Sequence, residues 1–293
     1  MSGSFDEIPV LTEEAVRGLL PQRPRDSHKG KNGRALLCVG SGRYTGAALL
    51  CAAAALRAGC GLLEAAVPGA VKPAFSELPE AMCTPVNTGE GWDADALKNA
   101  SALLPGRQAL GIGSGMGACA NPSLLLAALQ SKTPLVLDAD GLNLLSRNRE
   151  LFPLLHENVI LTPHPGEMAR LTELSQQQIL NSPGETAAGA AAHWGCIVLL
   201  KGYESHIAGK GRLIKNVTGN PGLSKGGSGD VLAGLIVGLL AQGLAPFDAA
   251  SIGAYLLGAS ADRALSLLGS RMLMATDVTG AVAGTLGQIR QSY

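Results

Sequence analysis

The sequence predicts an α/β protein built around a mostly parallel sheet. Three observations carry this reading. Short apolar runs alternate with Ala/Leu-rich helical segments, the pattern of repeated βαβ units. Several of the runs end in a glycine-bearing turn. Asp138, His164 and Lys201 each follow directly on an apolar run, at the strand ends where open α/β sheets bind ligands.

The elements follow in order. Residues 11–20 read as a short helix, with Thr12 as N-cap, Glu13 and Glu14 in the first turn, and Pro21 and Pro24 beyond its end. Residues 34–39 (RALLCV) read as a buried strand closed by Gly40, residues 46–58 as an Ala/Leu helix, and residues 62–67 as a second strand. A helix between two apolar strands is a βαβ unit and implies a parallel sheet. Further strands are expected at 109–112, opening into GSGMG, at 135–137, ending at Asp138, at 159–161, ending at TPHPGE, and at 196–200, ending at Lys201-Gly202. Residues 205–217 read as an antiparallel ribbon around the turn Gly209-Lys210-Gly211. Three consecutive helices follow, at 229–242, 246–268 and 276–289. With no repeat of solenoid period and no long linker, residues 1–293 are expected to form a single domain, with 1–27 as an N-terminal extension carrying the first helix.

Composition narrows the function class. The 293 residues hold 23 Lys+Arg and 23 Asp+Glu, so the formal net charge is zero. Hydrophobic residues are 46% of the chain, which excludes a disordered protein. Zero net charge and few, scattered aromatics argue against a nucleic-acid partner. The 39 glycines have no triplet period, which excludes a collagen-like chain. The six cysteines include no C-x-x-C pair and have apolar neighbours, so they read as buried thiols. The N-terminus MSGSFDEIPV lacks the features of a signal peptide, and the expected compartment is the cytoplasm. Residues 231–247 carry no charge and contain the small-xxx-small pair Gly234 and Gly238. A helix packed closely inside the protein explains that run better than a membrane span, so no membrane is expected.

The sharpest motif runs from Asn220 to Asp230, NPGLSKGGSGD, directly into an apolar helix. A helix start offers unpaired N–H groups and partial positive charge, and glycines let the backbone close around phosphate oxygens. Asp230, held beside such an anion, is placed to act as general base on a substrate hydroxyl. No Walker A loop occurs. Gly113-Ser-Gly-Met-Gly-Ala118 approaches a Rossmann fingerprint, but Asn121-Pro122 interrupts any helix there, so a glycine-rich loop at a strand end is expected instead. The prolines of TPHPGE hold His164 in a set position for hydrogen bonding or proton transfer, while Glu167 reads as a helix cap. His28, His156, His193 and His206 lack metal-ligand spacing. Asp138, Asp140 and Asn143 are open to a role toward Mg²⁺ through water or to a structural turn. Residues 40–47 form a second anion-friendly turn, and Lys201 is either a phosphate contact or a surface lysine. Together these features point to an enzyme handling a nucleotide and a second phosphorylated substrate.

In this order, HKG at 28–30, GSGRYTGAA at 40–48, GSGMG at 113–117, LDADGLN at 137–143, LTPHPGEMARL at 161–171, LLKG at 199–202 and TGNPGLSKGGSGDVLAGLIVGLLAQG at 218–243 resemble the ADP-dependent NAD(P)H-hydrate dehydratases of the ribokinase-like superfamily. The resemblance runs from about His28 to the C-terminus. It implies a three-layer sandwich with helices on both faces of the sheet. It also implies a repair reaction on the S-epimers of hydrated NADH and NADPH (NADHX and NADPHX). Phosphorylation of the ring hydroxyl at the expense of ADP, or of ATP in some relatives, would be followed by loss of phosphate. By resemblance, Asp230 takes the hydroxyl proton, and Ala47, Gly115, His164 and Asp230 contact the hydrated dinucleotide. The adenine nucleotide would be held by Lys201, Gly202, Tyr203, Glu204 and Ser205 and by Asn220, Pro221, Gly222, Leu223, Ser224, Lys225, Gly226, Gly227, Ser228 and Gly229, with Mg²⁺ on its phosphates and no dedicated metal ligands. Ser114 stands where the family pattern has proline. The 27 residues before His28 are too few for the epimerase domain of some relatives, so a separate epimerase or spontaneous epimerisation is expected. The Gly/Ala-rich helices leave two options, packing on the sheet or a homo-oligomeric interface, up to a tetramer. Two rival readings share the GGSGD loop: a kinase of a small alcohol such as a thiazole or pyrimidine vitamin precursor, and a non-catalytic nucleotide sensor.

Overall fold

The computed structural model describes residues 8–269 and 271–291. One nine-stranded sheet runs through it. In chain order its strands are β1 (Arg34–Cys38), β2 (Leu62–Val67), β3 (Met82–Pro85), β4 (Ala109–Ile112), β5 (Leu135–Leu137), β6 (Val159–Leu161), β7 (Ile197–Leu200), β8 (Ser205–Gly209) and β9 (Arg212–Asn216). Their spatial order is β3-β2-β1-β4-β5-β6-β7-β8-β9. Pairing is parallel from β3 through β7 and antiparallel in the expected ribbon of β8 and β9.

Strands β4 to β7, and β1 after Arg34, are buried on both faces and so read as continuous apolar runs. Alternate residues feed two cores. Ala35, Leu37, Leu63, Val136, Ile160 and Ile197 face one, whereas Leu36, Cys38, Leu110, Leu137, Leu161 and Val198 face the other. Helices α2 (Thr45–Ala58), α9 (Ser228–Ala241), α10 (Pro246–Leu268) and α11 (Ala275–Gln291) cover the first face. Helices α3 (Ala94–Ser101), α4 (Ser123–Gln130), α5 (Asp140–Arg147), α6 (Pro165–Thr172), α7 (Gln176–Asn181) and α8 (Pro183–Trp194) cover the second.

The first helix, α1 (Glu13–Leu19), is capped by Thr12, whose hydroxyl accepts from the Ala15 N–H. It packs on α10 and α11. Local sequence pattern gives no strong signal between β2 and β4, where the structure adds a 3₁₀ segment (Gly69–Glu77), β3 and α3. Strand β3 lies at the sheet edge and is only partly buried, so it needs no apolar run and accommodates Pro85. Asn121-Pro122 does delay the next helix, and α4 starts at Ser123.

The uncharged run 231–247 lies mostly within α9, every residue of which is buried from Val231 to Ala241. Gly234 and Gly238 face α2, and a Cβ on either would collide with the backbone carbonyls of Cys51 or Ala55. The small residues serve a helix–helix contact at backbone distance. Among the described residues no helix is long and apolar enough to cross a membrane. All six cysteines are free thiols, five of them buried and Cys83 partly so.

Candidate active site at the carboxyl edge of the sheet

Strand β1 is followed by α2 on one face of the sheet, whereas its neighbour β4 is followed by α4 on the other. The loops after β1 and β4 therefore diverge, leaving a crevice at the switch in strand order. The two loops are tied beneath it. The Gly40 N–H donates to the Ser114 carbonyl at 2.8 Å, and the Ser41 hydroxyl donates to the Gly115 carbonyl at 2.9 Å.

Beside this crevice, four strand and helix ends bring polar groups together. Asp138, at the end of β5, is 3% exposed. It accepts from the Thr162 hydroxyl at 2.7 Å and from the Lys201 ammonium at 2.8 Å, with the Ser114 hydroxyl at 3.4 Å. Lys201 also lies 3.8 Å from Glu167. Burial alone would lower the Lys201 pKa, but Asp138 and Glu167 outweigh it and the net value is raised. Lys201 is thus no loose surface lysine: its ammonium is paired with Asp138 at the edge of the cavity described below.

Asp230 sits in the first turn of α9, whose N-cap is Gly227 at φ +95°. A side chain at Gly227 would press on Leu50 and Ala275, and one at Gly229 would stand against the Lys201–Asp138 pair. Burial, reinforced by the nearby Asp138 carboxylate, pushes the Asp230 carboxyl up to about 6, while the Ser114 hydroxyl and Lys201 oppose the rise. A carboxylate with that value is a competent base near neutral pH.

His164 is the N-cap of α6. Its Nδ1 accepts from the Gly166 and Glu167 N–H groups, and Glu167 returns a bond to the His164 N–H, a full capping box. The cap expected of Glu167 is therefore present. With Nδ1 committed as acceptor, the neutral ring carries its proton on Nε2. About half of the imidazole is exposed. Gly115, at φ +66°, touches α2: a Cβ there would fall 2.6 Å from the Ala47 Cβ. Asp140 accepts from the Gly117 N–H at 2.7 Å, and Asn143 accepts from Arg170 at 3.0 Å. Both residues are engaged in structural bonds.

Two cavities flank this cluster. One, about 650 Å³, is lined by Lys201, Gly202, Tyr203, Glu204, Ser205, Asn220, Pro221, Leu223, Ser224, Ser228 and Gly229 of the expected nucleotide set. Gly222, Lys225, Gly226 and Gly227 shape the loop behind it, and the Lys225 ammonium donates to the Gly222 carbonyl at 2.7 Å. Ser228 Oγ is buried with no hydrogen-bond partner among the described residues. An unpaired hydroxyl beside the free N–H groups of a helix start fits a bound phosphate. Sequence reasoning missed Asn216, Thr218, Gly219, Ala254, Gly258 and Arg271 in this wall. It also missed Asp262 of α10, which accepts from Gly219 and Asn220 and so holds the turn. Thr218 and Gly219 open the run quoted at 218–243, whereas Ala254, Gly258, Asp262 and Arg271 lie far along the chain and form no local motif.

The other cavity, about 560 Å³, lies at the switch point and is lined by Ser41, Arg43, Tyr44, Glu90, Trp92, Met116, Gly117, Asp140, Asn143, Arg147 and Arg170, among others. Ala47, Gly115, His164 and Asp230 are not in its lining. They stand behind it: Gly115 precedes Met116, Ala47 lies one turn beyond Tyr44, and His164 caps the helix that carries Arg170. Asp230 thus has the first cavity along its own helix turn, and the loop of Ser114 leads from it to the second.

A family model for NAD(P)H-hydrate dehydratase matches residues 35–281. A bifunctional NAD(P)H-hydrate repair enzyme of Moorella thermoacetica is 40% identical over 92% of this chain and 52% of its own length. The chain thus spans about half the length of the bifunctional enzymes that it matches. The ADP-dependent (S)-NAD(P)H-hydrate dehydratase of Bacillus subtilis is 37% identical over 87% of this chain and 89% of its own length. A crystal structure of the ADP/ATP-dependent NAD(P)H-hydrate dehydratase from Bacillus subtilis, co-crystallized with ATP/Mg²⁺, superposes with a TM-score of 0.83 at 33% identity, covering 97% of this chain and 99% of the other. A ribokinase-like superfamily protein of Enterococcus faecalis superposes with a TM-score of 0.83 at 26% identity, over 99% of each chain. A hydroxyethylthiazole kinase of Pyrococcus horikoshii, at 15% identity and a TM-score of 0.60, shares the fold.

Proposed function

The chain belongs to the NAD(P)H-hydrate dehydratase family, and on that premise we propose that it returns the S-epimers of hydrated NADH and NADPH to the reduced cofactors at the expense of ADP or ATP. The observation that carries the proposal is Asp230: a half-buried carboxylate with a pKa of about 6, at a glycine-rich helix start whose Ser228 and Gly229 line one cavity.

In this reading the adenine nucleotide fills the cavity beside Ser228 and Gly229, and the unpartnered Ser228 hydroxyl supplies a donor to its phosphates. The hydrated nicotinamide ring lies against Gly115 and Ala47, with His164 presenting its Nε2 proton. Only a residue without a side chain leaves room at position 115. Asp230 accepts the ring hydroxyl proton as the oxygen attacks the terminal phosphoryl group. The O–P bond forms and the bridging P–O bond breaks, leaving AMP when ADP is the donor. The phosphorylated hydroxyl then departs as phosphate, the ring loses a proton, and the double bond is restored. Mg²⁺ on the nucleotide would neutralise charge on the transferring group. Among the described residues no cluster of three His, Cys, Asp or Glu side chains is placed to hold a metal ion.

Two further parts belong to the same reading. Conversion of the R-epimer is assigned to another protein or to spontaneous epimerisation. Homo-oligomer assembly is supported by the exposed apolar side chains of Leu267, Leu268 and Met274 around the α10–α11 connection.

The test is cofactor recovery. Purified protein is incubated with hydrated NADPH, Mg²⁺ and either ADP or ATP, and the near-ultraviolet absorbance of the reduced nicotinamide is followed. Recovery that requires both nucleotide and Asp230 is expected. Absence of recovery with both nucleotides overturns the proposal, and phosphorylation of a vitamin-precursor alcohol would establish a kinase in its place.

A further inference from the structure

The cavity at the switch point is not lined by any residue assigned above to the hydrated ring or to the adenine nucleotide. Three guanidiniums converge on it from three elements. Arg43 comes from the loop after β1, Arg147 from the last turn of α5, and Arg170 from α6. None of the three has a carboxylate partner among the described residues. Their present contacts are neutral. Arg147 donates to the Cys119 carbonyl at 3.0 Å, Arg170 donates to the Asn143 side chain at 3.0 Å, and Arg43 lies 5.4 Å from the centre of the Tyr44 ring. All three arginines are exposed. The two carboxylates in the wall do not cancel them. Among the described residues Glu90 pairs with no arginine, and Asp140 is engaged by the Gly117 N–H and Asn143.

Unpaired guanidiniums around one cavity are the chemistry of phosphate recognition, since each offers a planar fork of donors. A volume near 560 Å³ is too large for a single phosphate and suits a nucleotide-sized group. Tyr44 adds an aromatic face, with 43% of its surface exposed. The cavity also leads to the reacting centre through the loop that carries Ser114, Gly115, Met116 and Gly117.

We infer that this cavity is a subsite for the phosphate-bearing tail of the dinucleotide, with Arg43, Arg147 and Arg170 as its cationic contacts and Tyr44 as a stacking surface. The inference rests on the hydrated-dinucleotide reading given above. It adds that recognition of the substrate extends well beyond the nicotinamide ring. The phosphates of the tail are held on the opposite side of Asp230 from the phosphoryl donor.

The test uses NADPH and reduced nicotinamide riboside, which lacks every phosphate, as probes for the full chain in excess ADP. Binding is followed by nicotinamide fluorescence. NADPH is expected to bind at least tenfold more tightly than the riboside and to weaken as salt is raised. The double variant Arg43→Ala, Arg170→Ala is expected to bind NADPH at least tenfold more weakly and the riboside within twofold of the unaltered protein. Both side chains are exposed, and an unchanged melting temperature would confirm that the variant is folded. Equal losses for both probes, no change for NADPH, or no saturable NADPH binding by the unaltered protein overturns the inference. The recovery assay separates this from failure of the broader reading. Dehydration with an unchanged KM in the double variant would sink the subsite alone. Arginine-dependent NADPH binding without dehydration would sink the repair reaction alone.

Discussion

Replacing Asp230 by asparagine is expected to separate stability from activity. The Asp230 carboxyl stands at about 6 against an ordinary value of 3.8, chiefly because it is buried and secondly because Asp138 is near. The native state therefore holds this proton more tightly than the unfolded chain does. Its contribution favours folding in acid and is lost as pH rises from about 4 through about 6. A displacement of roughly two pH units corresponds to about 3 kcal/mol at about 1.4 kcal/mol per unit. Residual contact with water at this half-buried site reduces that to about 1–3 kcal/mol. Asparagine carries no charge and escapes the penalty. The Asp230→Asn variant should melt a few degrees above the parent near pH 7.5, by about 2–4 °C per kcal/mol for a domain of this size. The gap should close towards pH 4, where the parent carboxyl is protonated as well. Turnover of hydrated NADPH should fall by roughly 10²–10⁴, the usual loss for a general base. In the parent, kcat/KM should drop about tenfold per pH unit below about 6. Calorimetry at acidic and neutral pH, beside the absorbance assay, reads both effects. A variant no more stable than the parent at neutral pH, or one retaining turnover within threefold, would refute the reasoning.

Three further outcomes are expected. Lys201→Met leaves the Asp138 carboxylate buried without its counter-ion, which should cost about 3–5 kcal/mol in urea denaturation. Loss of the Lys201 charge should also move the acid limb of the rate profile to higher pH, because Lys201 lowers the Asp230 pKa. Ser228→Ala removes a buried hydroxyl that has no partner, so the melting temperature should stay level or rise slightly. The KM for ADP should nonetheless rise about tenfold or more, the loss of one hydrogen bond to a charged group. Gly234→Ala forces a Cβ into the Cys51 carbonyl across the α2–α9 contact, and a lower urea midpoint should report about 1–3 kcal/mol of overpacking.

Much of the site was legible in the sequence because its parts are local. The NPGLSKGGSGD run carries its own backbone instructions, with glycine where the chain must turn at positive φ and Asp230 in the first turn of the helix. TPHPGE forms a capping box within six residues, so its geometry needs no help from distant parts of the chain. Strands β4 to β7, and β1 after Arg34, were readable because each is buried on both faces and shows an apolar run, and β2 because Glu64 alone interrupts its run. The edge strand β3 and the short helix α3 have weaker patterns, since each exposes one side to water.

By itself the sequence determined the α/β class, the polar groups at the strand ends, the glycine loop that opens α9 and the family to which the chain belongs. The tertiary structure decided which of those groups meet. Lys201 looks like a free cation until β5 and β7 place it on Asp138, 63 residues away. Asp230 is an ordinary first-turn acid until burial and Asp138 raise its pKa. Arg43, Arg147 and Arg170 carry no shared spacing and converge only because the order of β1 and β4 opens a crevice between their loops. Periodicity and turn chemistry act over a few residues, whereas burial, pairing and pKa depend on which distant segments the sheet brings together.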